Sequence, residues 1–284
     1  MEFVERECCP ACDGVRARTL LQRRFHEGAL GQFLRDFYRR EPFEGTYQLD
    51  ECLDCELIFQ RFIADRESMK MLYTGLATSE DDAPVPLHPG DKHELLALGA
   101  FIGKPRLRVL DYGTGWGAWP ISARNLGHDA FATELAPHRA SWAAAQGVTV
   151  ISEEEIETNR PFDVINLEQV LEHVAEPLHL LQSLIPSLSG VLKLSLPNGR
   201  RRIVGELERD DFRHIMPFHP FEHVNSFNRH SLAKLIERLG LKEVRPSLRD
   251  LYSFRSTSVK DFARPIWRFY NPDNLYVWAM RSDV

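Results

Sequence analysis

The sequence predicts an α/β fold in which helices cover both faces of a parallel sheet, together with a small cysteine-rich module near the N-terminus. Two observations carry this prediction. From residue 107 onward, apolar strand-like runs alternate with longer helix-like segments, which is typical of βαβ units. All five cysteines lie before residue 56, and four of them form two Cys-x-x-Cys pairs.

The composition indicates a globular chain without a general affinity for nucleic acid. The 284 residues allow one large domain or a main domain with an appendage, and 43% apolar with 27% charged residues is an ordinary balance. A net charge of −6 argues against a broad nucleic-acid-binding surface. The N-terminal residues lack the apolar core of a secretory signal, and no stretch approaches the length of a membrane span. We therefore expect a cytoplasmic protein with no membrane partner.

The two cysteine pairs, Cys9-Pro-Ala-Cys12 and Cys52-Leu-Asp-Cys55, predict a structural zinc site. Each pair can supply two thiolates to one tetrahedral Zn²⁺, and two pairs complete a set of four thiolate ligands. Cys8 is either a substitute ligand or a small buried residue. Unrelated reduced cysteines are the alternative, and a redox role is disfavoured because neither pair opens a helix within a βαβ pattern. The separation between the pairs requires an insertion, and the apolar spacing of residues 20–40 predicts a helix there.

The region before the predicted sheet divides into three parts. Residues 1–73 form the predicted zinc-binding module, and alternation over 47–60 predicts a short hairpin around the second cysteine pair. Residues 74–90 are rich in turn formers, acids and proline and are expected to be a linker or a lid. Residues 91–102 then predict a helix with Asp91 as its N-cap.

The elements of the sheet region follow in order. Five predicted strands come first, at 107–112, 129–134, 148–152, 162–168 and 190–196. Predicted helices lie at 118–126, 137–146 and 176–187, with a weaker one near 153–158, and a later one at 231–239. Two last strands, 242–254 and 274–281, have no good helical pattern between them and are expected to pair antiparallel.

A glycine-rich turn, Val109-Leu-Asp-Tyr-Gly-Thr-Gly-Trp-Gly117, joins the first of these strands to a helix. Glycines tolerate positive φ and let a ligand approach the backbone, and the helix start offers free N–H groups. Because residue 118 is Ala, the spacing is not the G-x-G-x-x-G of dinucleotide-binding loops. Glu134 ends the second strand, where an acid suits a hydrogen bond to both ribose hydroxyls. A nucleoside ligand is therefore predicted, with NAD as an alternative.

With Asp111 in front, the loop has the pattern D-x-G-x-G-x-G, which resembles the first cofactor motif of class I S-adenosylmethionine-dependent methyltransferases. Residues 162–174 resemble the fourth-strand motif of the same family, and the order of elements over 100–284 is similar. The cysteine module resembles the zinc-binding prelude of some bacterial methyltransferases. The resemblance implies a Rossmann-like seven-stranded class I methyltransferase sheet over 91–284 with a small zinc-ribbon-like module.

The same resemblance implies S-adenosylmethionine as the cofactor and a small molecule as the methyl acceptor. The residues it implies for the cofactor site are Asp111, Tyr112, Gly113, Gly115, Trp116, Gly117, Glu134, Glu168 and Gln169. Glu153, after the third strand, is a weaker candidate for contact with the adenine edge.

Methyl transfer to a hydroxyl often requires a base, and a neutral histidine can remove a proton near pH 7. His219 and His223 are the candidate catalytic bases, with His214 behind them, in a late segment that resembles that of small-molecule methyltransferases. Each is equally interpretable as a structural histidine. Positioning of the reactants alone can supply much of the rate, so a mechanism without a base is also open.

Two other functions are weighed beside this one. Glu172-His173 with a later histidine resembles the Glu-x-x-Glu-His plus His metal set of RNA 3′-end 2′-O-methyltransferases, although Gln169 replaces the first Glu and the acidic net charge fits RNA poorly. In most of the superfamily Glu172-His173 is a structural pair. The other alternative is a non-catalytic scaffold that binds zinc and a cofactor, against which the intact glycine loop and Glu134 argue.

Overall fold

The computed structural model describes residues 2–38, 44–65, 67–68, 83–199, 203, 219–251 and 267–282. The chain forms two compact units. The first, called here the cysteine-rich unit, comprises Met1–Leu72, Leu171–Leu180 and Leu196–Arg238. The second, called the sheet unit, comprises Tyr73–Val170, Leu181–Ser195 and Leu239–Val284. The predicted domain division at 73 and 91 stays a prediction.

Short antiparallel strands form the framework of the cysteine-rich unit. The strands are β1 (Phe3–Glu5), β2 (Ala17–Arg24), β3 (Thr46–Cys52), β4 (Ile58–Gln60), β5 (Phe62–Ala64) and β11 (Asn225–Ser226); the helices are α1 (Gly28–Tyr38) and α6 (Arg229–Arg238). Four of these strands form a sheet in the order β11-β4-β3-β2, and β1 pairs with β5 separately. The antiparallel pairing of β3 with β4 confirms the predicted hairpin around the second cysteine pair.

The predicted helix over 20–40 is wrong in its first part. Residues 20–24 belong to β2, whose backbone pairs with β3, and α1 begins only at Gly28. Pairing with a neighbouring strand satisfies the backbone of this polar stretch, and such tertiary contacts override local helical spacing. Residues 39 and 40 lie outside the described part of the chain.

A seven-stranded mixed sheet dominates the sheet unit. Its strands are β6 (Arg108–Tyr112), β7 (Asp129–Thr133), β8 (Thr149–Val150), β9 (Phe162–Glu168), β10 (Leu188–Pro197), β12 (Leu241–Val244) and β13 (Asn274–Arg281). They lie in the order β12-β13-β10-β9-β6-β7-β8. The strands β10, β9, β6, β7 and β8 are parallel neighbours, and β12 pairs antiparallel with β13, as predicted. The helices of this unit include α2 (Pro89–Ile102), α3 (Ala118–Asn125), α4 (Pro137–Ala145) and α7 (Leu248–Leu251), and α5 (Pro177–Leu184) is divided between the two units at Leu180.

Three predictions about these elements are corrected. The weak helix near 153–158 is a run of turns, in which Glu155 and Asn159 bond to residues three or four positions away. The strand predicted for 242–254 ends at Val244, and α7 follows it. The helix predicted from Asp91 begins at Pro89, and its N-cap is His88. Proline suits the first turn because it lacks the backbone N–H that would stay unpaired there, and the Nδ1 atom of His88 accepts a hydrogen bond from the Gly90 N–H.

The core of the sheet unit explains why its strands read as continuous apolar runs. Val109 of β6 and Val164 of β9 are fully buried, and they pack in one cluster with Leu98 of α2, Trp119 of α3 and Trp278 of β13. Helices on both faces leave no solvated side to the central strands. Among the described residues, none of the helices has the length and apolarity needed to span a bilayer.

Candidate cofactor and metal sites

The glycine loop connects β6 to α3 with all three glycines at positive φ: 70° at Gly113, 57° at Gly115 and 78° at Gly117. A Cβ atom at Gly117 would lie 3.0 Å from the Cβ of Ala143, so close packing as well as φ requires glycine there. Nothing lies within 4 Å of a Cβ placed at Gly115. At Gly115 it is therefore the φ value alone, and not packing, that favours glycine.

Asp111 is an internal brace of the loop. Its side chain accepts hydrogen bonds from the Thr114 hydroxyl, at 2.5 Å, and from the Asn166 amide of β9, at 2.6 Å. Burial raises the pKa of Asp111 to about 7, although both hydrogen bonds oppose the rise. Asp111 therefore connects the glycine turn to the neighbouring strand β9.

Glu134 also holds the loop. One carboxylate oxygen accepts from the Gly115 N–H at 2.7 Å and the other from the Ala136 N–H at 2.8 Å. The half-buried carboxylate therefore lies directly after β7, against the glycine turn, and its ribose-binding role stays a prediction. Carboxylate oxygens accept more than one hydrogen bond each, so acceptor capacity remains for two hydroxyls.

A cleft of about 370 Å³ opens beside the loop. Four of the predicted cofactor residues line it, namely Asp111, Gly113, Trp116 and Glu168. The remaining predicted residues, Tyr112, Gly115, Gly117, Glu134 and Gln169, are not among its lining residues. The Tyr112 hydroxyl donates to the Glu153 carboxylate at 2.6 Å. This bond joins a predicted cofactor residue to the weaker candidate for contact with the adenine edge.

A charged network that the sequence did not lead us to expect lies behind this cleft. Lys193 of β10 is completely buried and forms ion pairs with Glu94 of α2, at 2.6 Å, and Glu168, at 2.9 Å. Glu94 also pairs with Arg268 and accepts from the Trp119 indole. Burial by itself lowers the pKa of Lys193, but the neighbouring Glu168 and other groups raise the pKa by more than burial lowers it. The net shift is upward, so the amine stays charged. The sequence feature that could have indicated this network is a lysine within the apolar run Val191-Leu-Lys-Leu194 of β10.

The four predicted zinc ligands converge in the cysteine-rich unit. The Sγ atoms of Cys9 and Cys55 are 3.5 Å apart, those of Cys12 and Cys52 are 3.6 Å apart, and all four lie within 4.8 Å of one another. Cys8 is not part of this cluster. The hydrogen bond from Cys55 lowers the pKa of Cys12. The spacing and chemistry of this donor set fit a tetrahedral zinc ion.

A second group of metal-binding residue types lies in the same unit. Ligand atoms of Glu172, His173 and His223 lie within 4.8 Å of one another. Glu172 is 2% exposed, and neither carboxyl oxygen accepts a hydrogen bond from another described residue. Burial raises the pKa of Glu172 to about 8 and lowers that of His173 to about 3.

The two predicted bases have different surroundings. His219 exposes none of its surface, and burial followed by the charge of His223 lowers its pKa to about 3. His223 is half-buried, with its ring 4.5 Å from that of His173. His214 lies outside the described residues, as do residues 74–82 of the predicted linker or lid.

The comparisons agree with this architecture. Residues 89–245 match a family model described as a methyltransferase domain, which is more than half of the chain. The chain therefore belongs to the methyltransferase-domain family.

Individual relatives are more distant. Ubiquinone biosynthesis O-methyltransferase of Xanthomonas campestris pv. campestris is 30% identical over 130 residues, which is 42% of this chain and 54% of that protein. The chain thus matches about half the length of these curated relatives. The structure of magnesium protoporphyrin IX methyltransferase from Synechocystis PCC 6803 with bound SAH is similar with a TM-score of 0.51 at 16% identity, covering 77% of this chain and all of that one. This second likeness establishes the α/β methyltransferase fold.

Proposed function

We propose that the protein is an S-adenosylmethionine-dependent methyltransferase that transfers a methyl group to an oxygen, nitrogen or carbon atom of a small molecule. The observation that carries the proposal is the glycine loop between Asp111 and Glu134, with positive φ at all three glycines and with Gly113 and Trp116 lining a cleft of about 370 Å³. The relatives named above act, by their names, in ubiquinone biosynthesis and on magnesium protoporphyrin IX. Both names support a small-molecule acceptor.

The predicted residues have distinct proposed roles. Glu134 accepts hydrogen bonds from the two ribose hydroxyls, and the backbone of Gly113 and Gly115 faces the methionyl part of the cofactor. Asp111 fixes the loop, and Trp116 and Glu168 line the cleft. Tyr112, Gly117 and Gln169 complete the proposed set. When bound, the cofactor supplies an electrophilic methyl group, and these residues orient it.

Calorimetric titration with S-adenosylhomocysteine tests the cofactor, with NADH as a control ligand. We expect micromolar affinity for the former only. Glu134→Ala should weaken it by at least about tenfold, because charged hydrogen bonds contribute about 1.5–3 kcal/mol each. The matched control is Glu157→Ala, which removes an acid that is 77% exposed in its side chain. A folded protein without affinity for the nucleoside contradicts the proposal.

We also propose that Cys9, Cys12, Cys52 and Cys55 hold a structural Zn²⁺. The four sulfur atoms are already within bridging distance of one ion. Elemental analysis should find zinc in the purified protein, and Cys9→Ser should abolish it. Cys8→Ser is the matched control, because Cys8 is the adjacent cysteine outside the cluster, and it should retain the metal. Loss of zinc from Cys8→Ser would assign the substitute-ligand role to Cys8.

For an acceptor that must lose a proton, we propose His223 as the base before His219. His223 is the less buried of the two, and the side chain of His219 has no exposed surface from which to meet an acceptor. His223→Gln should lower the rate of S-adenosylhomocysteine release with a hydroxyl acceptor while leaving cofactor affinity unchanged. An unaltered rate would favour catalysis by positioning alone.

A second candidate mechanism is metal-assisted methyl transfer. The convergence of Glu172, His173 and His223, with a buried carboxylate that no other described residue bonds, favours it. One carboxylate and two imidazoles suit a divalent transition metal. The test is metal content beyond the zinc of the cysteines: Glu172→Gln should remove a second ion and retain the first. A wild-type protein with only the cysteine-bound metal leaves His223 as a base.

A further inference from the structure

Two side chains next to the cysteine pairs reach the histidine segments of the same unit. Gln60 ends β4, five residues after Cys55, and its side-chain N–H group donates to the backbone oxygens of His219 and His223, at 3.1 Å each. Its backbone N–H donates to the Val224 oxygen at 3.0 Å. Gln60 is 1% exposed, and an amide NH₂ is the part of this side chain that can bond two carbonyl groups.

Arg6, three residues before Cys9, makes the second connection. Its guanidinium donates to the side-chain oxygen of Asn225 at 2.7 Å. The Asn225 amide in turn donates to the backbone oxygens of Leu171 and Val174, at 2.9 and 2.6 Å, which flank Glu172 and His173. The backbone N–H of Asn225 donates to the backbone oxygen of Glu172 at 3.1 Å.

One buried residue, Arg6, thus precedes the first cysteine pair, and another, Gln60, follows the second. Gln60 bonds the His219–His223 turn directly, whereas Arg6 reaches the Leu171–Val174 turn through Asn225. The pairing of β11 with β4 adds main-chain hydrogen bonds to the same junction. Within the His219–His223 turn, the backbone N–H groups of Glu222 and His223 donate to the His219 oxygen. The two turns also contact each other, because the Nδ1 atom of His173 lies 2.7 Å from the backbone oxygen of Glu222. Without the bonds from Gln60 and Asn225, fewer contacts would restrain the imidazoles.

We propose that the cysteine module positions the candidate catalytic histidines, with Gln60 and Arg6 as the positioning residues that connect it to them. A metal ion held by the four cysteines would close the two pairs and so keep β4 and Arg6 in place, and these connect to the turns of His173 and His223. This inference rests on the proposed role of His223.

The experiment uses full-length, zinc-loaded protein and two variants that keep the shape of the side chain. Gln60→Met removes both amide donors, and Asn225→Asp keeps the acceptor for Arg6 but loses the donors to Leu171 and Val174. The control is Gln22→Met on exposed β2 of the same sheet. Readouts are amide hydrogen exchange, imidazole NMR signals of His173 and His223, zinc content and affinity for S-adenosylhomocysteine.

We expect Gln60→Met to speed exchange over residues 219–226 by about tenfold, the equivalent of one to two lost hydrogen bonds. Asn225→Asp should do the same over 171–174, and both should shift the imidazole signals while zinc and nucleoside affinity stay unchanged. General destabilisation would instead speed exchange in the hairpin over 46–60 and release zinc. The two variants test separate turns, so if one of them does not fold, the other decides the proposal over its own turn.

Imidazole signals that are the same in Gln60→Met and Gln22→Met, or unmoved by loss of the cysteine-bound metal, would overturn the positioning role. Wild-type protein that does not bind S-adenosylhomocysteine overturns the proposed function instead. The two failures are thus distinguished by separate measurements.

Discussion

Lys193 is a fully buried residue that also pairs with Glu168, one of the residues that line the cleft. Its buried ammonium lies between Glu94 and Glu168 and faces the rings of Trp119 and Tyr276, at 5.3 and 5.8 Å. A charge in this position is tolerable only because its partners are close, and removing one member strands the others.

We predict that Lys193→Met destabilises the protein by about 3 kcal/mol, because it leaves the buried Glu94 carboxylate with one cation fewer. Urea denaturation measures the change. Lys104→Met is the control: Lys104 pairs with Asp163 but is 54% exposed in its side chain, and such pairs contribute at most about 1 kcal/mol. Equal changes in the free energy of unfolding would mean that the buried ion pairs of Lys193 stabilise the protein no more than the exposed pair of Lys104 does.

Asp111 makes a pH-dependent contribution to stability. Its folded pKa of about 7 lies above the ordinary value of 3.8, so the folded protein binds more protons than the unfolded one between these values. The contribution of Asp111 to the free energy of unfolding is therefore largest below pH 4, and it decreases as the pH rises towards 7.

We predict that Asp111→Asn flattens this dependence by roughly 1 kcal/mol per pH unit in the absence of ligand. Denaturation at a series of pH values measures it. Glu172, whose pKa burial raises to about 8, contributes a slope of the same sign and persists in the variant. A variant whose stability profile parallels that of the wild type would show that the pKa of Asp111 is the same in the folded and unfolded states.

At the scale of elements, the loop between β6 and α3 requires glycine for two different reasons, backbone conformation and close packing. At Gly115 only the φ of 57° opposes a side chain, whereas at Gly117 the φ of 78° is joined by a contact of 3.0 Å with Ala143 of α4. Left-handed backbone costs an ordinary residue about 1–2 kcal/mol.

We therefore predict that Gly115→Ala lowers the free energy of unfolding by about 1 kcal/mol and Gly117→Ala by clearly more, since overpacking adds about 1–3 kcal/mol. Thermal and urea unfolding compare the two. Nucleoside affinity should fall most in Gly115→Ala relative to its stability loss, because that site is open. The reverse order of stability would place the tight packing at Gly115.

Elements with long apolar or alternating patterns were predictable, and those set by neighbours were not. Buried β6 and β9 follow from runs such as Val109-Leu110, because parallel strands covered on both faces need apolar residues throughout. The error at residues 20–24 arose because pairing with β3 decides their conformation. The glycine loop and the cysteine cluster were predictable from local spacing, whereas Arg268 and Gln60 reach their partners across long sequence separations that no local pattern encodes.

For the whole molecule, ligand binding and stability are coupled by mass action. We predict that S-adenosylhomocysteine at a hundredfold excess over its dissociation constant adds about 2.7 kcal/mol to the free energy of unfolding, and that NADH adds nothing. Melting curves at increasing nucleoside concentration measure the shift. A melting temperature independent of the nucleoside would contradict specific binding to the folded state.

The antiparallel pair of β4 and β11 has a consequence for synthesis on the ribosome. β4 ends at Gln60 and its neighbour β11 begins at Asn225, so the edge of Ile58 and Phe59 waits without that partner while the intervening chain is made. At about 5–20 residues per second the delay is roughly 8–30 s. During that interval an apolar strand edge is open to pairing with other nascent chains.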